Sequence, residues 1–246
     1  MAGILFIISA PSGSGKSTLV SQLRSLVEGL EFSISYTTRQ PRGSEEDGRE
    51  YHFTTRAEFE RMIAAGEFLE WALVFGPGGN SYGTAAAALD HARHAGKDLL
   101  LDIDVQGAVQ VMQKLPQAVS IFIVPPSPEV LERRLRNRSE AEHVTSEADL
   151  AQRLSEARKE LDKIRDYKYA LVNDVLDVAV GELRAIVLAE RGVQDGVVAL
   201  AANCRTDAGS ARLMSALAAS CRTDAGSARL LNALASFEKQ GVGHRV

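Results

Sequence analysis

Short unbroken apolar runs alternate with longer stretches of helical periodicity along most of this chain. Ile4–Ser9 is too brief for a helix and is closed by Ala10-Pro11 and a glycine-rich turn. Such a run reads as a strand buried on both faces of a parallel sheet. Asp98–Ile103, Val119–Val124 and Tyr169–Val172 have the same character, and Pro125-Pro126 stops the run that begins at Val119. Between them, Ser17–Leu30 carries leucine or valine at 19, 20, 23, 26, 27 and 30, the spacing of one helix face. Residues 129–166 are charged and helical in pattern with a polar gap near 139–147, and Glu182–Arg191 predicts a last core helix. Buried strands separated by helices predict an α/β fold with a parallel sheet covered by helices. The stretch from about Phe32 to His91 interrupts the pattern with short alternating runs, FSISYTT and REYHF, and reads as a smaller mixed-β insertion.

The character changes again after Gly192. CRTDAGSARL occurs at 204–213 and returns at 221–230, a spacing of 17 residues. That is about 4.7 helical turns, so the copies would not share a helix face, and two copies are too few for a stacked repeat array. Leu213 and Leu217, and Leu230 and Leu234, could form an apolar stripe that docks on the body or on a second subunit. The small, polar remainder favours a tail over 192–246 that is mobile or weakly helical and separable from a body of residues 1–191.

Composition narrows the choices only a little. With 246 residues, 45% of them hydrophobic and 24% charged, the chain can bury a core as one α/β domain with sub-domains. A net charge of −4 argues against non-specific nucleic-acid binding. No apolar run reaches the roughly 20 residues that span a bilayer, and the apolar N-terminus lacks the basic segment of a signal peptide. The two cysteines, Cys204 and Cys221, both lie in the tail, so the body suits a reducing, cytoplasmic setting. Monomer and homo-oligomer are both compatible with these features. His91 and His94 have no adjoining Cys, His or acidic cluster and read as exposed helix residues, not as a metal pair.

Chemistry enters at Ala10-Pro11-Ser12-Gly13-Ser14-Gly15-Lys16-Ser17-Thr18. It follows G-x-x-x-x-G-K-[ST] apart from Ala10 in the first glycine position, with a strand before it and a helix after it. Glycines at 13 and 15 let successive N–H groups converge on phosphate oxygens, the helix start adds its positive dipole end, Lys16 supplies a point charge and the Ser17 hydroxyl suits Mg²⁺. This loop predicts a nucleoside triphosphate and says nothing about the acceptor. Arg39 and Arg42, three apart around Pro41, form a pair of guanidinium forks suited to a dianionic phosphate, with Tyr51 beyond the next turn as a further donor. Asp102 and Asp104 close the LLLDID run, where a carboxylate would lie in the crevice at the carboxyl end of a parallel strand.

SYTTRQPR, DGREYHF, GEFLEWA, NSYGT, LLLDIDVQG, PPS, RRLRNR and VND follow one another over residues 35–174, and in this order and near this spacing the chain resembles the guanylate kinases. The resemblance covers about 1–191. It implies a P-loop kinase fold with a parallel core (1–31, 97–136 and 156–191), a GMP-binding insertion (32–96) and a helical lid (137–155). It implies ATP as donor with Mg²⁺, and GMP, with dGMP alongside, as acceptor. By resemblance, residues 10–18 and Asn173 bind ATP, with Asn173 on the adenine side. Arg39, Arg42, Tyr51 and Tyr82 hold the GMP phosphate. Ser35, Glu70 and Thr84 read the guanine edge with Asp104 nearby, and Ser17 with Asp102, through water, serves the metal. Lys16, Arg134, Arg138 and Arg153 stand over the transferring group when the lid closes, whereas Arg133 and Arg136 read as solvated helix charges. Guanine offers N1–H and N2–H₂ to one carboxylate, and adenine would leave Glu70 without a partner.

The chain departs from the family pattern at Ala10, at the reversed Gly43-Ser44, at the lengthened Gly76–Thr84 run with one tyrosine fewer, and in a longer lid without a glycine after Arg138. Two other readings of the same residues are a non-catalytic guanylate-kinase-like binding module and a kinase for another phosphorylated acceptor such as a ribose bisphosphate. The intact Lys16 and Ser17 oppose the first, and Ser35, Glu70 and Thr84 oppose the second.

Overall fold

The computed structural model describes residues 3–74, 79–141 and 147–193 together with Cys204, Asn232, Ala235 and Ser236; at 138–141 and 149 it describes the backbone alone. In chain order the elements are β1 (Leu5–Ser9), α1 (Lys16–Leu26), β2 (Leu30–Phe32), β3 (Tyr36–Thr37), β4 (His52–Phe53), α2 (Arg56–Ala64), β5 (Phe68–Val74), β6 (Asn80–Ala85) and α3 (Ala86–His94). Then come β7 (Asp98–Asp102), α4 (Val105–Lys114), β8 (Val119–Val124), α5 (Pro128–Ala141), α6 (Glu147–Leu161), a 3₁₀ turn (Asp162–Asp166), β9 (Tyr169–Val172) and α7 (Leu176–Glu190). The fold is mixed α/β, with a sheet of order β2-β7-β1-β8-β9 and a second, mixed sheet of order β4-β3-β6-β5. Pairing of β2 with β7 and of β8 with β9 is parallel. β1, β8 and β9 are buried at every position, as expected for strands covered on both faces.

The helix after the glycine-rich loop ends four residues earlier than the leucine spacing predicts. Val27 is already extended, and Gly29 takes a left-handed φ of 71° that turns the chain back. Leu30, Glu31 and Phe32 then pair in register with Asp98, Leu99 and Leu100. Leu30 therefore belongs to a fifth strand that alternation could not reveal in three residues. The last core helix starts at Leu176, not Glu182, and buries Ala179 and Val180 in its first turns. The mixed insertion contains β5 and β6, which the residue pattern did not resolve, as well as the short strands at FSISYTT and REYHF.

The chain falls into two compact units, divided within β1: Met1–Ile7 with Glu28–Ala118, and Ile8–Val27 with Val119–Val246. In the first, β5 pairs antiparallel with β6, and Phe59, Met62 and Phe68 form an apolar cluster under the mixed sheet. In the second, Leu131, Leu135, Leu150 and Ala157 join α5 to α6, and buried Tyr167 meets Phe122 edge to face at 4.9 Å.

Both copies of the tail repeat lie outside the described residues, apart from Cys204. That residue is buried at 2% exposure, and its carbonyl accepts a hydrogen bond from the Ala170 N–H of β9 at 2.7 Å. Among the described strands β9 is an outer one, and this bond covers one backbone group on its edge. A chain ending at Arg191 should keep its activity, because every motif-bearing residue precedes that point. Loss of the Cys204 contact should lower its melting temperature by a few degrees, at about 2–4 °C per kcal/mol for a domain of this size. Thermal melting of the two chains checks this, and identical melting curves would show that the Cys204 contact contributes nothing.

Candidate functional site

In the second unit, the glycine-rich loop leaves buried Ser9 and turns at Gly13 and Gly15, whose φ values are 85° and 82°. Both are left-handed, a conformation that side chains rarely adopt. Gly15 caps α1, and Lys16, Ser17 and Thr18 occupy its first turn, with Ser17 and Thr18 exposed. Ala10 and Pro11 are buried beneath the loop, Ser12 is exposed, and the Ser14 N–H donates to Pro11 O at 3.1 Å. A methyl group at Gly13 would stand 3.1–3.2 Å from Leu131 and Leu135 of α5, and these side chains would have to give by a few tenths of an ångström. The absent first glycine is therefore no structural loss, since the two left-handed positions are both kept.

The loop is also held from outside. Asn173 Nδ2 donates to Ser14 O at 2.7 Å, and Arg134 reaches both Ser14 O at 3.3 Å and Asn173 O at 3.2 Å. A Cβ at Gly15 would stand 2.4 Å from Asn173 Nδ2. Asn173 and Arg134 thus hold the phosphate loop's backbone, a role the motif reading did not include. Arg138 lies in α5 with only its backbone described, and Arg153 is half-buried in α6. Arg133 and Arg136 are exposed, and Arg136 forms ion pairs with Glu132 and Glu147 at 2.8 and 2.6 Å.

In the first unit, the mixed sheet brings the acceptor residues together. Glu70 of β5 stands opposite Thr84 of β6 in register, and the Thr84 hydroxyl bonds its carboxylate. Ser35 Oγ lies 3.4 Å from Thr84 Oγ1. Glu70 is only 3% exposed. Burial chiefly, with the nearby Asp104 charge, pushes its carboxyl up to about 7, against the opposing pull of Thr84 and Lys114. Asp104 caps α4, its Oδ1 accepting from the Gly107 N–H at 2.8 Å, while Asp102 ends β7.

Just beyond the end of β3, Arg39 is buried with a two-point ion pair to Glu45, at 2.9 and 3.0 Å. Its guanidinium lies 5.3 Å from the Tyr51 ring centre, and Tyr51 meets Tyr82 at 5.8 Å. Burial works against the charge on Arg39, but bonds to Glu45 and Tyr82 raise its pKa above the ordinary value. Burial, then the neighbouring Tyr82 and Asp102 charges, raises the Tyr51 phenol, which stays a hydrogen-bond donor at neutral pH. Arg42 is exposed, with its backbone N–H donating to Glu45 at 2.8 Å. Glu45 escaped the motif reading because its acidic neighbours made it look like one residue of a solvated turn. Three further residues that it missed, Gly107, Gln110 and Lys114, stand on α4 beside Glu70. Their spacing of three and four was the available signal. Residues 76–78 of the lengthened run, with Phe75 before it, and 142–146 of the lid lie outside the described residues.

Comparison with known proteins finds a match of residues 3–190 to the family model for guanylate kinase. A guanylate kinase of Koribacter versatilis (strain Ellin345) is 59% identical over 191 residues, covering 78% of this chain and 80% of that protein. One from Syntrophotalea carbinolica is 50% identical over 189 residues, with 76% and 86% covered. Among solved structures, the crystal structure of guanylate kinase from Anaplasma phagocytophilum matches with a TM-score of 0.63 at 33% identity, over 80% of this chain and 89% of that one.

Glu70 carries a pH signature. An acceptor for paired N–H donors must be ionised, so kcat/KM for such a substrate should rise about tenfold between pH 6 and 8 as a carboxyl of pKa near 7 loses its proton. Stability should move the other way. A folded-state pKa above the unfolded one means the folded chain binds more protons between pH 4.5 and 7, so the ligand-free protein loses stability as pH rises through that window. Glu70→Gln should remove that limb from the rate profile and raise the ligand-free melting temperature at pH 8 but not at pH 5. Rate and melting curves with the same pH dependence in both proteins would refute the assignment.

Proposed function

The chain belongs to the guanylate kinase family and phosphorylates GMP to GDP at the expense of ATP, and from that premise we propose how its own residues do so. The observation that carries the reading is the buried Glu70 carboxylate with Thr84 and Ser35 beside it, in the mixed sheet that holds Tyr82 in β6 and has Arg39 and Tyr51 next to β3 and β4. Guanine's N1–H and N2–H₂ donate to Glu70, and the Ser35 hydroxyl donates to O6 with the Thr84 hydroxyl, whose single proton turns from Glu70 to the base. Asp104 lies close by as a further polar contact to the nucleoside. Adenine cannot supply the donor pair, and the buried carboxylate would remain unpartnered. dGMP, which carries the same base and phosphate, is a second acceptor.

Arg39 and Arg42, with the Tyr51 and Tyr82 hydroxyls, take the GMP phosphate. That phosphate is largely dianionic at pH 7, its second pKa being about 6. The attacking oxygen therefore carries no proton, and no general base is needed. The oxygen forms a bond to the γ-phosphorus of ATP while the bond to the β–γ bridging oxygen breaks, and ADP leaves with that electron pair. Loop residues 10–18 cradle the donor phosphates, Lys16 neutralises developing charge, and Asn173 meets the adenine side. Arg134, Arg138 and Arg153 add positive charge when the lid, residues 137–155, closes and excludes water. Residues 32–96 form the acceptor-binding insertion in this scheme, and the remainder of 1–191 forms the core.

Mg²⁺ fits the groups available for it. The exposed Ser17 hydroxyl and the Asp102 carboxylate, acting through water, are the hard oxygen donors that this ion prefers. When bound it screens charge between the β- and γ-phosphates. Among the described residues no helix is long and apolar enough to cross a membrane, and a cysteine-free body supports a cytoplasmic setting.

A panel of GMP, dGMP, AMP, UMP and TMP in a coupled ADP-release assay tests the reading. GMP and dGMP should lead AMP in kcat/KM by about ten-thousandfold, the scale on which a site built to hydrogen-bond its substrate rejects an analogue that lacks the donors. Comparable use of AMP would reject the base-reading role. Lys16→Ala should abolish transfer with its melting curve unchanged. Activity within about threefold of the parent, a barrier change under roughly 1 kcal/mol, would reject the assignment of Lys16.

A further inference from the structure

β5 has β6 on one side only, because it is the outer strand of the mixed sheet. An outer strand leaves alternate backbone groups without a strand partner. In β5, side chains of α4 meet those groups. Gln110 Oε1 accepts from the Trp71 N–H at 3.3 Å, and Gln110 Nε2 donates to Trp71 O at 2.7 Å. One amide thus imitates both bonds of a neighbouring strand residue. Lys114 Nζ donates to Leu69 O at 2.6 Å. The two residues bracket Glu70.

Pairing with β6 cannot fix Glu70 alone, because the register shifts between Phe68 and Glu70. On the same face of α4, Gly107 borders the carboxylate. A Cβ there would stand 2.4 Å from Glu70 Oε2 and 2.9 Å from its Cδ. Gly107 has no left-handed φ, so an added methyl group would suit the helix. The atoms that would have to yield are the far end of the Glu70 side chain.

We propose that the α4 face formed by Gly107, Gln110 and Lys114 sets guanine specificity by fixing where the Glu70 carboxylate lies. Gln110 and Lys114 pin the backbone of β5 on either side of it, and Gly107 leaves the space it occupies. All three are positioning residues, and the inference rests on Glu70 as the group that reads guanine. A carboxylate accepting from N1–H and N2–H₂ together must lie in the plane of the base, and a displaced one loses one of the two bonds. IMP is the matching probe, since its base keeps N1–H and lacks the exocyclic amine. The ratio of kcat/KM for GMP to that for IMP therefore reports the second bond.

The experiment measures that ratio, the KM for ATP and the melting curve in the full chain for the parent, Gly107→Ala, Gln110→Ala, Lys114→Met, Lys114→Arg and Glu70→Gln. Gly107→Ala, Gln110→Ala and Lys114→Met should each lower the ratio about fivefold or more, with the KM for ATP within about twofold of the parent. Lys114→Arg keeps a donor for Leu69 O and should retain most of the ratio. Lys114 is exposed, so its variants stay folded even if a substitution at Gly107 or Gln110 does not. If Glu70→Gln lowers the ratio but Lys114→Met leaves it within about twofold of the parent, the α4 inference is overturned and the base-reading role stands. Parallel losses for GMP and IMP would likewise overturn it, because they mark general damage. If Glu70→Gln itself leaves the ratio unchanged, the base-reading role fails and the inference falls with it.

Discussion

A carboxylate buried before its partner arrives is the constraint round which the acceptor side is arranged. Glu70 has lost its water, and burial outweighs the bonds and the cation that would keep it charged. Only a ligand that donates two hydrogen bonds to it can restore what hydration gave. On the proposed reading, the preference for guanine rests on this burial as much as on contacts to the base. Such a deficit is useful only if the carboxylate cannot swing away to water. On the proposal made above, the α4 face supplies that restraint through its bonds to Leu69 and Trp71.

The phosphate loop answers a related problem with opposite means. Its N–H groups must point inward at an anion, and the peptide is planar and trans, so each N–H is opposed to the carbonyl of the residue before it. Asn173 and Arg134 engage Ser14 O, which directs the N–H of Gly15 the other way. The close approach of Asn173 leaves no room for a side chain at Gly15. The loop is thus prepared by donors spent on its outer side. Two residues read from the family pattern as ligand contacts also serve the backbone that makes those contacts.

Much of this was legible in the residues. A six-residue apolar run such as Val119–Val124 has few interpretations when proline follows it, and the loop motif fixes its own strand and helix. What escaped notice depended on partners distant in sequence. Leu30–Phe32 is a strand because Asp98–Leu100 lies beside it, and helical spacing of Leu30 carried no warning. Gln110 and Lys114 look like ordinary polar residues of an amphipathic helix, and their bonds to β5 appear only once Trp71 and Leu69 are brought near. The residues proposed for the acceptor were assigned through order and spacing. Glu45 lay in a turn whose charges all looked solvated.

The two ends of the acceptor site differ in how their charges are kept when no substrate is present. Arg39 already has an anion, since Glu45 grips its fork at two points and the Tyr51 and Phe53 rings lie beside it. A guanidinium held this way keeps its orientation and its charge at any working pH. With Arg39 as a phosphate ligand, as proposed, the phosphate adds a second anion to a cation already in place and makes a contact open to any nucleoside monophosphate. Glu70 has no equivalent, because Lys114 spends its ammonium on Leu69 O and is the weakest of the influences on the carboxyl. Phosphate affinity and base choice are consequently separable in this fold. The first rests on a pair of charges complete in the empty protein, and the second on one left incomplete. Changes that tune discrimination should therefore gather round β5 and α4, away from the arginines.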